Sequence, residues 1–150
     1  KSSGANISFE KTNHLHICRK RNCSAINLVH NNINIENVDN CKILGLNIDS
    51  KYSFKNHCNY LKKDLTKRLN IIKYLSSPKS HMHTNSLLRL VKSIILSKIA
   101  YGLVIYSKAS KTVFKKVDNI LNASIRESLR AFRTTPVKNL KAEGGFDPTN

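Results

Sequence analysis

The spacing of apolar residues changes near residue 53, and this change constrains the fold more than any other feature of the sequence. Before it, apolar side chains alternate with polar ones, as at Leu15 and Ile17. Alternation with a period of two is typical of strands that bury one face. After it, apolar residues recur at steps of three and four, which indicates amphipathic helices. The sequence therefore predicts an α+β chain with a strand-rich part over 1–53, a helical part over 54–145 and a frayed tail over 146–150.

The strand-rich part predicts a small, mostly antiparallel β-sheet. Three stretches of alternating apolar residues are expected to form strands: residues 12–18, 25–30 and 42–49. The polar residues His30, Asn31 and Asn32 predict a hairpin turn into a further strand that begins at Ile33. Gly45 lies inside the stretch over 42–49, and an interior glycine often marks a bulge or the close approach of another backbone.

The helical part predicts a bundle of three to four helices. The first expected helix follows residue 53 and stops near Ser76, the second runs from Thr84–Ser86 to about Lys108, and the third begins after Ser110 and includes Leu129. A short fourth helix is expected to begin at Pro136, behind the cap residue Thr135. Pro78 ends the first helix because proline cannot continue one, and Gly144 and Gly145 end the last. The second helix is too apolar for a surface position, so we expect it at the centre of the bundle.

The charge of the chain indicates a polyanionic partner. Lys and Arg number 26 against 9 Asp and Glu, which gives a formal net charge of +17. Such an excess favours nucleic acid or an acidic membrane face. Basic residues occur on every predicted helix, so phosphate contact is the stronger hypothesis, and a solvated helix face is the alternative. The few carboxylates are spread thinly, which argues against a multi-carboxylate metal site for phosphoryl transfer.

Other site chemistries find little support in the sequence. His14, His16, Cys18 and Cys23 match no standard zinc spacing, so no metal site is predicted. The sequence contains no Gly-x-Ser-x-Gly and no phosphate-binding P-loop. No run of 18 apolar residues and no signal-peptide pattern occurs, so we expect neither a membrane partner nor secretion. The four cysteines are accordingly expected to be reduced, in an intracellular and nuclear protein.

Several segments occur in the order found in one family. These are Gly4 to Thr12 (GANISFEKT), Lys42 to Asp49 (KILGLNID), Phe54 with His57, Ala100-Tyr101-Gly102 with Tyr106, and Ala131 to Val137 (AFRTTPV). The first resembles the segment after the catalytic aspartates of non-LTR retrotransposon reverse transcriptases, and the second resembles their next motif. Phe54 and His57 follow that motif at the usual distance, and Ala100-Tyr101-Gly102 with Tyr106 resembles their thumb signature. The last is similar to a junction common in jockey-type insect elements.

This resemblance implies that residues 1–53 are the end of a polymerase palm and residues 54–145 its thumb. Lys11 then matches a lysine that acts as general acid toward the pyrophosphate leaving group, and an ordinary strand-edge lysine is the alternative. Three residues match the primer-grip hairpin: Leu44, Gly45 and Leu46. On the thumb helix, four basic residues are expected to contact the duplex backbone: Lys62, Lys63, Lys67 and Arg68.

The sequence departs from the family in lacking the fingers, the first palm aspartate and the Tyr-x-Asp-Asp carboxylates. In the parent polymerase these carboxylates hold two Mg²⁺ ions, so no cofactor is expected in this chain. Because the chain begins at Lys1 and its single methionine is Met82, we expect a fragment of a longer product. The implied function is that of an RNA-directed DNA polymerase fragment that contacts the RNA/DNA template–primer duplex and the upstream fingers and palm. We expect it to be inactive alone. A free-standing nucleic-acid-binding module (a domesticated remnant) and a helical protein-interaction domain are the alternatives.

Overall fold

The computed structural model describes residues 8, 12–20, 23, 26–30, 32–107 and 109–146. The chain is an α+β protein, as the change of apolar spacing predicts, with small sheets followed by helices. It divides into two compact units, Lys1–Asn56 and His57–Asn150. Lys11 and most of the segment Gly4 to Thr12 lie outside the described residues.

The first unit contains two small sheets. Its strands are β1 (Asn13–His14), β2 (Leu28–His30), β3 (Ile33–Asn37), β4 (Asn40–Ile43) and β5 (Leu46–Asp49). The three-stranded sheet has the order β1-β3-β2, in which β2 pairs antiparallel and β1 pairs parallel with β3. The second sheet is the antiparallel pair β4 and β5. The predicted hairpin is confirmed, because His30 pairs with Ile33 and Asn32 has a φ of 61°.

The predicted strand over 42–49 is wrong, because the chain reverses in the middle of it. Leu44 and Gly45 have φ values of 47° and 82°, and two successive positive φ angles are typical of the two-residue turns that twist with the strands they join. Ile43 consequently pairs with Leu46. Leu44 and Leu46 therefore do not share a face: Leu44 is 82% exposed, whereas Leu46 is 5% exposed.

The strands expected over 12–18 and 25–30 are shorter than predicted. Among the described residues of these stretches, only Asn13–His14 and Leu28–His30 form strands. Ile17, Ile26 and Leu28 are exposed, so the alternation does not mark a buried face in these stretches. Cys18 and Cys23 are joined by a disulfide, contrary to the prediction of reduced cysteines, whereas Cys41 and Cys58 are free.

The second unit is built from helices, the first of which begins at the end of the first unit. They are α1 (Lys55–Ser76), a 3₁₀ turn (Pro78–Ser80), α2 (Thr84–Leu90), a π-helical segment (Val91–Leu96), α3 (Ser97–Ala100), α4 (Leu103–Tyr106), α5 (Lys111–Leu129) and α6 (Val137–Glu143). The extents of α1 and α5 agree with the prediction. Pro136 is not the first helical residue of α6, as predicted, but the residue before it, and Gly144 follows the last. Within the described part of the chain, no helix has the length and apolar character needed to cross a membrane.

The single helix predicted over 84–108 is interrupted twice. A π-helical segment replaces the regular ladder at Val91–Leu96, and the helix ends at Ala100. Gly102 follows with a φ of 72°, a conformation that glycine adopts without steric penalty and that commonly ends helices. The chain then turns so that the ring of Tyr106 is fully buried and its hydroxyl donates a hydrogen bond to the carbonyl oxygen of Ile99.

One apolar core holds the helices of the second unit together. Both α2 and the π-helical segment contact α5, and α6 also packs on α5. The side chains with no exposed surface include Leu65, Ile72, Leu87, Val91, Ile95, Val117, Ile125 and Leu140, and Leu61 is 2% exposed. The apolar stretch expected at the bundle centre buries one face only, because Val104 is 88% exposed. Burial of each such side chain stabilises the fold by about 1.5–3 kcal/mol before chain entropy is counted.

Candidate nucleic-acid interface

The best candidate for a ligand-binding surface is the side of α1 that faces away from the core. Seven residues of α1 are buried, at steps of one, three or four: His57, Cys58, Leu61, Leu65, Leu69, Ile72 and Ser76. The opposite side carries five exposed residues at steps of three and four: Tyr60, Lys63, Lys67, Ile71 and Tyr74. We call these five residues the outer stripe. With a rise of 1.5 Å per residue, the outer stripe is about 21 Å long.

The outer stripe is basic, and its charge is not neutralised by its own helix. Asp64 is the one carboxylate in the sequence of α1. It pairs with Arg68, whose Nε lies 3.1 Å from Asp64 Oδ2. Lys63 and Lys67 lie one turn apart and are exposed, and Tyr74 beyond them is 77% exposed. Lysines with an exposed aromatic residue on one helix face are suited to a phosphate backbone.

The four basic residues predicted on α1 fall into two groups. Lys63 and Lys67 belong to the outer stripe, and exposed Lys62 lies on its flank. Arg68 instead turns toward the rest of the helical unit: its Nη1 donates a 2.9 Å hydrogen bond to the carbonyl oxygen of Ile94 in the π-helical segment. Since the Asp64 carboxylate neutralises the charge of Arg68 and the Ile94 carbonyl oxygen holds its guanidinium, we leave Arg68 out of the interface.

The predicted primer-grip residues lie in the first unit and differ in accessibility. Leu44 and Gly45 form the exposed tip of the β4–β5 turn, whereas Leu46 is buried below it. A buried side chain has no surface to offer a nucleic acid, so any contact at this hairpin involves Leu44 and the backbone at Gly45. The predicted general acid, Lys11, lies outside the described residues.

A second basic surface is not predicted by the sequence. Lys73 at the end of α1 lines an open groove together with Arg126 of α5, with Arg130 directly after that helix and with Arg133 beyond it. Lys73 lies more than about 50 positions from the three arginines in the sequence, so only the fold brings them together. Arg130 has a φ of 51° and follows the last residue of α5, so its spacing of four from Arg126 does not place the two on one helix face.

Titratable groups in the core of the helical unit are held neutral by burial. Burial lowers the pKa of His57, and the nearby charge of Lys98 lowers it further. Burial raises the pKa of the Cys58 thiol, and raises the pKa of Tyr106 to about 12. The rings of His57 and Tyr106 lie 5.1 Å apart between centroids. A neutral, tightly packed cluster of this kind is typical of a core, so these groups are not candidate catalysts.

The described residues provide no cluster of three His, Cys, Asp or Glu side chains that could hold a metal ion. The Mg²⁺ ions that the resemblance implies for a complete polymerase therefore find no fitting ligand set in this part of the chain. What the described residues offer is cationic and aromatic surface, which is suited to binding.

Comparison with known protein families, curated proteins and solved structures finds no match to this chain.

Proposed function

We propose that this chain binds the backbone of a nucleic-acid duplex through the outer stripe of α1, as the thumb of a reverse transcriptase does with its template–primer. In this proposal the chain is the end of the palm and the thumb of a non-LTR retrotransposon RNA-directed DNA polymerase. The ordered sequence motifs support the family, and the outer stripe supports the binding.

The observation that carries the binding proposal is the pair of exposed lysines, Lys63 and Lys67, on the side of α1 opposite its buried face. Each ammonium group that contacts a phosphate releases condensed counterions, and this release drives association at low salt. Tyrosine hydroxyls donate to phosphate oxygens as well, which gives Tyr74 a role beside the lysines. A stripe of about 21 Å follows roughly six nucleotides of one strand at 3.4 Å per step.

In this proposal the chain contributes positioning to DNA synthesis and none of the metal chemistry. The Tyr-x-Asp-Asp carboxylates that hold Mg²⁺ in such polymerases do not occur in its sequence. The thumb holds the duplex so that the primer end stays where another part of the polymerase acts on it. Contacts to the backbone suit this task, because they carry no sequence information and the duplex must slide past them.

A salt titration of binding to a 20-base-pair RNA–DNA hybrid tests the proposal. We expect the logarithm of the binding constant to fall linearly with the logarithm of salt concentration. Changing Lys63→Gln and Lys67→Gln together should reduce that slope by about two, since each phosphate contact contributes about one. Lys138→Gln on α6 is the control, with an expected change near zero. Salt-insensitive binding, absent binding, or an equal effect of the control would contradict the proposal.

A basic nucleic-acid-binding module with no polymerase partner is the second candidate. It is favoured by the core that runs through the helical unit, to which the fully buried Leu65, Val91 and Ile125 all belong. The two candidates differ in genomic context. A reading frame that encodes a Tyr-x-Asp-Asp segment just before Lys1 supports the polymerase, whereas its absence supports the module.

A further inference from the structure

A groove in the helical unit gathers four cations around a space of about 700 Å³. Lys73 and Ser76 come from the end of α1 and Arg126 from the last turn of α5, whereas Arg130 and Arg133 come from the segment that follows. Glu127 is the one carboxylate among the residues that line it. We call this surface the arginine groove. Its charge selects an anionic ligand and excludes a cation.

Two of the arginines are held in place by backbone carbonyl groups. Arg130 donates from Nε to the carbonyl oxygen of Ser76 and from Nη2 to that of Met82, both at 3.2 Å. Arg126 donates from Nη2 to the carbonyl oxygen of Thr135, also at 3.2 Å. Since each guanidinium has five N–H donors, both arginines keep further donors for a ligand. Because these two side chains are already held in place, ordering them on binding costs less entropy.

Some donors of the arginine groove have no partner among the described residues. Arg126 Nε is buried and has no hydrogen-bond acceptor within the part of the chain that the structure describes. The side chains of Lys73 and Arg133 likewise form no ion pair with the described residues. Buried donors in native proteins are nearly always paired, and guanidinium groups match phosphate oxygens in bidentate geometry. These unused donors indicate phosphate as the anion.

The size and lining of the groove indicate that the phosphate is part of a larger molecule. A space of about 700 Å³ lies in the range of sites that hold organic ligands of roughly 300–1,000 Å³. Pro78, Ala123 and Ala131 also line the groove and provide apolar contacts beside the cations. A sugar and base attached to the phosphate would use these contacts and the flat faces of the guanidinium groups. A duplex is too wide to enter, and its bases are already stacked.

We propose that the arginine groove binds one nucleotide of a single-stranded nucleic acid, with its phosphate against Arg126, Arg130 and Arg133. This inference rests on the proposed function and deepens it, because it gives the same unit a contact to unpaired strand in addition to the duplex contact of the outer stripe. Arg126 and Arg130 are anchored to the fold, so Lys73 and Arg133 are the residues whose removal tests binding without removing those structural bonds.

The experiment compares fluorescently labelled 12-nucleotide single-stranded RNA with the 20-base-pair hybrid as ligands of the full chain. The test variant is Lys73→Glu with Arg133→Glu, and the matched control is Lys111→Glu with Lys138→Glu, which makes the same change in net charge. We expect the test variant to bind the single strand at least tenfold more weakly than the control does. Binding of the hybrid should differ between the two variants by less than threefold.

The outcomes separate this inference from the proposed function. If the unmodified chain binds neither ligand in a salt-dependent manner, the proposed function fails and this inference fails with it. If it binds both and the test variant behaves like the control on single strand, only the arginine groove is refuted. Phosphatidylserine vesicles test whether the groove binds an acidic membrane instead. If the test variant binds these vesicles more weakly than the control but binds the single strand equally well, the inference is also refuted. Should circular dichroism show that the Glu variant is unfolded, Lys73→Gln with Arg133→Gln gives the same comparison.

Discussion

At the residue scale, Asp49 controls how the chain enters its longest helix. The Asp49 carboxylate accepts hydrogen bonds from the backbone N–H groups of Ser53 and Phe54, the shorter at 2.8 Å. Within this turn Tyr52 and Phe54 have φ values of 54° and 55°, a region that residues with side chains rarely adopt. The carboxylate therefore holds a strained turn directly before α1, and the segment Lys42 to Asp49 (KILGLNID) ends at this residue.

The change Asp49→Ala should lower the free energy of unfolding by about 2 kcal/mol at pH 7, because hydrogen bonds to a charged group are among the stronger ones. Burial alone would raise the pKa of Asp49, but the hydrogen bonds from Ser53 and Phe54 lower it overall. A lowered pKa means that this stabilisation is complete above the unfolded-state value and is lost as the pH falls through the folded-state value. Urea unfolding at pH 7 and pH 3 measures both effects.

The control for this prediction is Asp39→Ala, which removes a carboxylate from the same unit without removing those hydrogen bonds. Its effect on stability should be within about 0.5 kcal/mol, as for an ordinary surface change. The difference between the Asp49 variant and the unmodified chain should be smaller at pH 3 than at pH 7. An equal difference at the two pH values would show that the carboxylate charge is not what holds the turn.

At the element scale, the break at Gly102 lets the chain turn back so that Tyr106 reaches the core. Gly102→Ala places a side chain at a φ of 72°, which should cost about 1–2 kcal/mol and lower the melting temperature. Asparagine tolerates this conformation better than alanine, so Gly102→Asn should recover part of the loss. Thermal unfolding followed by circular dichroism measures both variants. Equal stability of the Ala and Asn variants would contradict a conformational cause.

The elements that the sequence predicted well are those in which a regular apolar spacing continues over many residues. α1 and α5 each repeat the helical spacing over five turns, so their bounds were predicted closely. The apolar alternation did not predict the turn at Leu44 and Gly45, because leucines on both sides of the glycine continued the pattern of a strand; only the resemblance placed a hairpin there. The π-helical segment was missed because a local change of hydrogen-bond pattern leaves the apolar composition unaltered.

In the candidate site, too, local spacing predicted some residues, whereas others depend on packing between distant segments. The outer stripe follows from the period of α1, so Lys63 and Lys67 were predicted from sequence. The helical period does not predict the bond from Arg68 to Ile94, because that bond depends on where a distant segment packs. The arginine groove joins Lys73 to Arg133 across the fold, and no local pattern links residues so far apart.

At the scale of the whole molecule, the net charge of +17 opposes folding and favours binding. Mutual repulsion among like charges destabilises the compact state, and the ion pairs Arg68–Asp64 and Lys141–Asp118 offset a small part of it. Salt screens this repulsion, with a Debye length that falls from about 30 Å at 0.01 M to about 8 Å at 0.15 M. Salt also displaces cationic side chains from phosphates. Stability and binding should therefore respond to salt in opposite directions.

We expect the melting temperature to rise by a few degrees between 0.01 M and 0.15 M sodium chloride, while affinity for the RNA–DNA hybrid falls. A shift of about 1 kcal/mol corresponds to roughly 2–8 °C for domains of this size range. Differential scanning calorimetry and fluorescence anisotropy measure the two responses in the same buffers. The variant that combines Lys63→Gln, Lys67→Gln and Lys138→Gln carries three fewer charges, so its melting temperature should rise less with salt. A melting temperature that falls with salt would mean that specific ion pairs, rather than the excess of positive charge, dominate the electrostatics of the folded chain.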